Sequence, residues 1–160
     1  MKKIVLAAVA SLLCTTPALA QTSFSGPRVG ATVGVLGDDI FDSDATSFGL
    51  EVGYDHDFGN GAVVGIQGEY QDDFDGDFGH ELAATARVGG KAGQNALVYV
   101  AGGYSRIEVG NFHLDGVRTG LGVEFGLGAS GASLKVEQRY GNYEAGAELF
   151  QTVVGVGFRF

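Results

Sequence analysis

"FQTVVGVGFRF" occupies residues 150–160 and closes the sequence. Phe150, Val154, Val156, Phe158 and Phe160 are apolar. Gln151, Gly155, Gly157 and Arg159, in the gaps, are small or polar. Such alternation is the period of a β-strand with one apolar face. Chain ends are usually polar and frayed. An aromatic residue in the final position therefore calls for a partner strand and an apolar medium on one side.

The same period recurs upstream, with almost no 3.6-residue patterning after residue 20. Val29, Ala31, Val33 and Val35 alternate with Arg28, Gly30, Thr32 and Gly34. Phe48, Leu50, Val52 and Tyr54 alternate with Gly49, Glu51, Gly53 and Asp55. Further strands are read at 62–71, 80–89, 116–127 and 133–143. The segment 95–105 is apolar on both faces, so its facing is ambiguous. With the closing stretch the count is eight. Short glycine-rich connections at 59–61, 89–94 and 128–131 alternate with longer polar ones at 37–44, 71–79, 106–115 and 142–148. Short turns at one end and longer loops at the other are the pattern of outer-membrane barrels.

The apolar faces carry almost no charge. The opposite faces mix glycine, serine and threonine with Arg28, Glu51, Glu69, Glu81, Arg87, Arg118, Glu124, Lys135, Glu137, Arg139 and Arg159. A soluble barrel would put its large apolar side chains inside and its charges outside. Here lipid is expected to meet the apolar face, because an Arg or Lys on the lipid face at midplane costs about 2–4 kcal/mol. Closure pairs every backbone group, as a bilayer requires. The expected fold is all-β, an eight-stranded antiparallel up-and-down transmembrane β-barrel over residues 21–160. Phe158 and Phe160, with Tyr54 and Phe125, fit one interfacial aromatic girdle, and Tyr70, Tyr104 and Tyr140 the other.

Residues 1–20 read as a cleaved signal peptide. Lys2 and Lys3 precede an apolar run over 4–14, and Ala18 and Ala20 frame the cleavage site. The run is too short for a helical span. Leu13 before Cys14 argues against lipidation. Cys14 is the only cysteine, so the exported chain is expected to have no disulfide. Loss of Lys2 and Lys3 takes the net charge from −9 to −11, which speaks against nucleic acid as a partner.

The ending at Val154, Val156, Phe158 and Phe160, with "GLGVEFGL" and "LKVEQRY" before it, resembles the small outer-membrane barrel superfamily. Its members are the OmpA/OmpX-like and opacity-type porin-family proteins. The resemblance spans residues 21–160. It implies an integral outer-membrane location, and a C-terminus recognised by the outer-membrane assembly machinery. It does not imply one activity, since members serve as adhesins, anchors and weak pores. No peptidoglycan-binding domain follows the barrel, so a cell-wall tether is not expected.

Chemical motifs are weak. Asp73, Asp75, Asp77 and Gly76 faintly suggest a calcium loop but lack its terminal bidentate Glu. A solvated acidic loop is the plainer reading. His56, His80 and His113 have no metal-ligand spacing. Related lipid A hydrolases need a His with a nearby Ser and acid, and no His-x-Ser occurs. "GLGVEFG" lacks the strand-to-helix context of a nucleotide loop. The expectation is therefore a monomeric barrel with no catalytic residues, cofactor or metal. Its partners would be outer-membrane lipid, lipopolysaccharide and host or other surface ligands. A small pore is the alternative, and a lipid A-modifying enzyme is less favoured. The inward charges either pair structurally or line a gated path.

Overall fold

The computed structural model describes residues 24–37, 45–74, 79–110 and 112–160. The signal peptide with Ala18 and Ala20, loop residues 38–44, and Asp75, Gly76 and Asp77 lie outside them. Eight strands follow one another: β1 (Gly26–Gly37), β2 (Ala45–Asp57), β3 (Ala62–Asp73) and β4 (His80–Ala92), then β5 (Ala96–Val109), β6 (Phe112–Gly126), β7 (Ala132–Tyr143) and β8 (Glu148–Arg159). Each pairs antiparallel with its neighbour, and β1 pairs with β8, so the barrel is closed.

Parity along the strands decides the facing. Outward stand Leu50, Val52 and Ile66, each more than 60% exposed, while Glu51 and Gln67 beside them are buried in the lumen. The ambiguous segment now has a facing. Leu97, Tyr99 and Ser105 of β5 point inward and are buried, and Val98, Val100 and Tyr104 point outward. Turn chemistry sets the short end. Between β2 and β3, Asp57 Oδ1 accepts from Gly59 N–H at 2.8 Å and Asn60 Oδ1 accepts from Ala62 N–H at 3.0 Å, as side chains that mimic a backbone turn do.

One connection differs from expectation. Residues 106–115 read as a loop, yet β5 and β6 continue through them to a turn at Gly110, whose φ is +60°. Arg106 faces Asp115 and Ile107 faces Leu114 across the hairpin. The polarity that suggested a loop belongs to the outward face above the apolar belt. There Arg106 Nε donates to Asp115 Oδ1 at 2.7 Å and Tyr104 donates to the same carboxylate at 2.5 Å. These hydrogen bonds, that of Arg106 first, hold the Asp115 carboxyl below its ordinary range.

The closing strand does not fray. Phe160 N–H donates to the Pro27 carbonyl at 3.0 Å, and Arg159 N–H donates to that of Gly131 at 2.8 Å. The rings of Phe158 and Phe160 meet edge-on at 5.1 Å. A polar pair interrupts the apolar belt between β7 and β8. Thr152 Oγ1 donates to Gln138 Oε1 at 2.8 Å, and Gln138 Nε2 donates to the Gln151 carbonyl at 3.0 Å, so the pair is satisfied without water.

β4 and β5 approach so closely at Gly103 that a Cβ there would strike the Ala84 carbonyl oxygen and lie 2.6 Å from Thr85 Cα. Both are backbone atoms and cannot rotate away. Gly103→Ala is expected to destabilise the barrel by about 1–3 kcal/mol, the usual range for overpacking. Gly90→Ala, where a Cβ meets open space, is the control. Urea unfolding of refolded protein measures both. Equal midpoints would show that the sheet relaxes around the added methyl.

Candidate functional site

Eight strands enclose an interior just wide enough to be filled by side chains. Long side chains from opposite walls can therefore meet across it. The eleven charged residues picked out by parity all project into this lumen, and they fall into linked tiers.

At the short-turn end the hub is Asp55 of β2, which is fully buried. Arg87 grips it with two bonds, Nε to Oδ1 at 2.8 Å and Nη2 to Oδ2 at 2.5 Å. Arg28 Nε lies 3.0 Å from Oδ2, and Arg159 Nη2 donates to it at 2.8 Å. Glu124 offsets the surplus of positive charge, with Arg87 at 2.8 Å and Arg159 at 3.0 Å. Arg28 reaches on to Glu51 at 3.1 Å and Gln67 at 2.6 Å, which joins this tier to the next.

The middle tier crosses the barrel. Lys135 on β7 bonds Glu51 on β2. Arg139 on β7 donates twice to Glu69 on the opposite wall, at 2.7 and 3.0 Å, and once to Glu137 at 2.7 Å. Tyr99 donates to the other Glu137 oxygen at 2.6 Å. Arg118 then links Glu69 at 2.7 Å to Glu81 at 3.0 Å. Glu81 also accepts from Ser105, and from Tyr143 at 3.1 Å. Six bases (Arg28, Arg87, Arg118, Lys135, Arg139, Arg159) thus meet six acids (Glu51, Asp55, Glu69, Glu81, Glu124, Glu137). Opposite charges at these spacings offset the cost of removing each from water.

The space beside the lumenal glycines is already taken. A Cβ at Gly122 would sit 2.5 Å from the Tyr99 hydroxyl, and one at Gly120 would sit 3.0 Å from Glu137 Oε1. At Gly155 the neighbour is Thr32 Cγ2 at 3.0 Å. Small residues on one wall make room for long ones from another.

Sequence reasoning left Asp55 out of the charge set, although its parity with Glu51 on β2 carried the signal. It left out Tyr99 because the strand is apolar on both faces. Phe24, which precedes β1 and breaks no pattern, gave no signal. It is fully buried with Val63, Leu97 and Tyr99. The histidines stay apart. His56 packs edge-on against Phe58, and His80 stacks on Tyr70 and lies 3.2 Å from Glu108. Among the described residues no group of three or more His, Cys, Asp or Glu is placed to hold a metal ion.

A model of the outer membrane protein beta-barrel domain matches residues 6–160. The chain belongs to that family. It is by that membership a bacterial outer-membrane protein. No curated protein matches the chain by sequence. Solved outer-membrane barrels share its fold. Neisserial surface protein A (NspA) is 12% identical with a TM-score of 0.57, the match covering 84% of this chain and 96% of that one. The attachment invasion locus protein Ail of Yersinia pestis is 14% identical with a TM-score of 0.56, covering 85% and 97%. The outer membrane enzyme PagL is 18% identical with a TM-score of 0.58, covering 83% and 99%. At these identities the likeness is one of fold.

In this outer-membrane barrel Asp55 is the shared ion-pair partner of three guanidinium groups. Asp55→Ala leaves them to Glu51 and Glu124, and is expected to cost about 3–5 kcal/mol, as loss of one partner from a buried ion pair does. Asp72→Ala, at the outer rim, should stay within about 0.5 kcal/mol. Reversible unfolding in lipid vesicles compares the two. A loss at Asp55 no larger than at Asp72 would mean that water replaces the missing carboxylate.

Proposed function

We propose that this chain is an integral, monomeric outer-membrane barrel that does not conduct. In this reading it has no catalytic activity and serves as a rigid scaffold that holds its outer rim and acidic loops at the cell surface. Residues 1–20 act as its cleaved leader, and Val154, Val156, Phe158 and Phe160 as the ending read by the assembly machinery. The observation that carries the reading is the bridge from Arg139 to Glu69 and on to Arg118, which spans the lumen from wall to wall. A conducting path would have to part these charges in a confined space, at a cost of about 3–5 kcal/mol if they were fully desolvated. The apolar outward belt supports insertion, and the Arg106–Asp115 pair above Tyr104 suits the headgroup level, where aromatics mark the interface.

A surface role agrees with the names of two fold neighbours, a Neisserial surface protein and an attachment protein. In this reading the rim meets lipopolysaccharide, and host or other surface ligands are left to the loops. The pore reading has no comparable support, because glycine volume in the lumen is filled by Tyr99, Glu137 and Thr32. The enzyme reading draws on PagL. Against it, among the described residues His56 packs on Phe58, and His80 on Tyr70 beside Glu108, rather than on a serine.

Refolded wild type in planar bilayers should give only rare, small events. Steady conductance would overturn the closed-scaffold reading. Lipid A from a deletion strain should match that of the parent; a changed acyl pattern restored by the wild-type gene would favour the enzyme. Phe160→Asp should lower the outer-membrane level of the protein well below that of a rim variant such as Asp72→Asn, measured on fractionated membranes. Equal levels would remove any role for the ending in assembly.

A further inference from the structure

The lumen is polar along most of its length, and one place departs from this. At the short-turn end Val63 of β3 and Leu97 of β5 point inward and are fully buried, as is Phe24. These three and Tyr99 form one apolar cluster, with Ala101 packed against it. Phe24 does not belong to a strand. It lies two residues before β1, and its ring is tucked under Arg159, whose guanidinium carbon sits 5.3 Å from the ring centroid. A cation over an aromatic face is attracted by the ring quadrupole.

The local backbone is built for this placement. Gly26 adopts φ +115°, which L side chains rarely reach, and a Cβ there would stand 2.5 Å from the Phe160 carbonyl oxygen. Only glycine lets the chain leave the β1 direction at this point. Gly26 therefore bends the segment away from the β1 line, and Phe24 ends buried against Val63 and Leu97. Nothing in barrel closure requires it, since β1 already has both neighbours paired over its length.

We propose that Phe24 is a stopper, turned into the barrel mouth at Gly26, and that with Val63, Leu97 and Tyr99 it seals the lumen on the periplasmic side. The periplasmic assignment of that mouth rests on the reading of the protein as an outer-membrane barrel. The ion-pair tiers lie beyond the stopper, so the lumen is closed twice by different chemistry. The apolar seal keeps bulk water from the Asp55 hub. The ion pairs close the section above it. Opening one barrier leaves the other in place.

The test compares full-length protein carrying Phe24→Ala, Arg139→Ala or both, refolded into planar bilayers. Heat-dependent gel mobility checks that each barrel has closed. Two barriers in series predict that each single variant stays near wild type and that the double variant conducts about tenfold more often or more, since tenfold corresponds to about 1.4 kcal/mol of lost closure. Arg139→Ala alone matching the double variant, or a silent double variant, would overturn the stopper. Phe24→Ala alone matching the double variant would support the stopper and reject the ion-pair plug, so the two ideas fail separately.

A second measurement needs no change at Phe24. The sequence has no cysteine after Cys14, so Leu97→Cys in the exported protein is a single label site. Behind the stopper this thiol should react with a water-soluble maleimide about 100-fold more slowly than Ala129→Cys in the exposed turn between β6 and β7, because labelling then waits on local opening. Comparable rates would show an unsealed mouth and overturn the proposal.

Discussion

A narrow tube with charges inside can exist only if each charge finds a partner within it. That constraint organises the rest of the structure. In the eight-stranded lumen no inward arginine can turn back to bulk solvent, so its partner has to come from another wall. The choice of wall is visible in the glycines. Where Tyr99 and Glu137 extend, Gly120 and Gly122 of β6 recede. Composition that looks permissive in sequence is complementary in space. Replacing Gly120 therefore disturbs Glu137 and its pairing with Arg139 before it disturbs a strand.

The tiers differ in kind. Around Asp55 and Glu124, two carboxylates gather three guanidinium groups. Further along, Glu69, Glu81 and Glu137 outnumber Arg118 and Arg139. Lys135 and Glu51 stand between and share charge with both. The lumen thus carries a gradient from relatively positive at the short-turn end to relatively negative toward the loops. The six bases and six acids of the network balance only when its tiers are taken together. Breaking a pair in one tier shifts the demand to the next, so effects of neighbouring substitutions should not add.

Much of this was legible in the sequence. Period-two alternation from Val29 to Phe160 gave the strand count, and charge on one parity gave the lumenal face. Those signals are local and need only the pleat. The extended β5–β6 hairpin was hidden because Arg106 and Asp115 look like loop residues until their cross-strand pairing is known. Register decides who meets whom, and a single chain shows no register before it closes. For that reason parity puts Arg139 and Glu69 on the lumenal face without pairing them, and does not mark Asp55 as a hub. Phe24 was invisible for a different reason. Its burial depends on a bend at one glycine, and one aromatic outside any periodic run carries no pattern.

The partners in the middle tier are far apart along the chain. Arg139 reaches Glu69 across 70 residues, and Lys135 reaches Glu51 across 84. Neighbouring strands can zip together long before these contacts exist, because hairpins close small loops and such contacts close large ones. Until β7 comes round, Glu51 and Glu69 face an open trough and keep their hydration. The lumen therefore begins as a wet gutter and dries only when the last strands arrive. Drying and closure become the same event, and the final step of folding is the one in which water leaves.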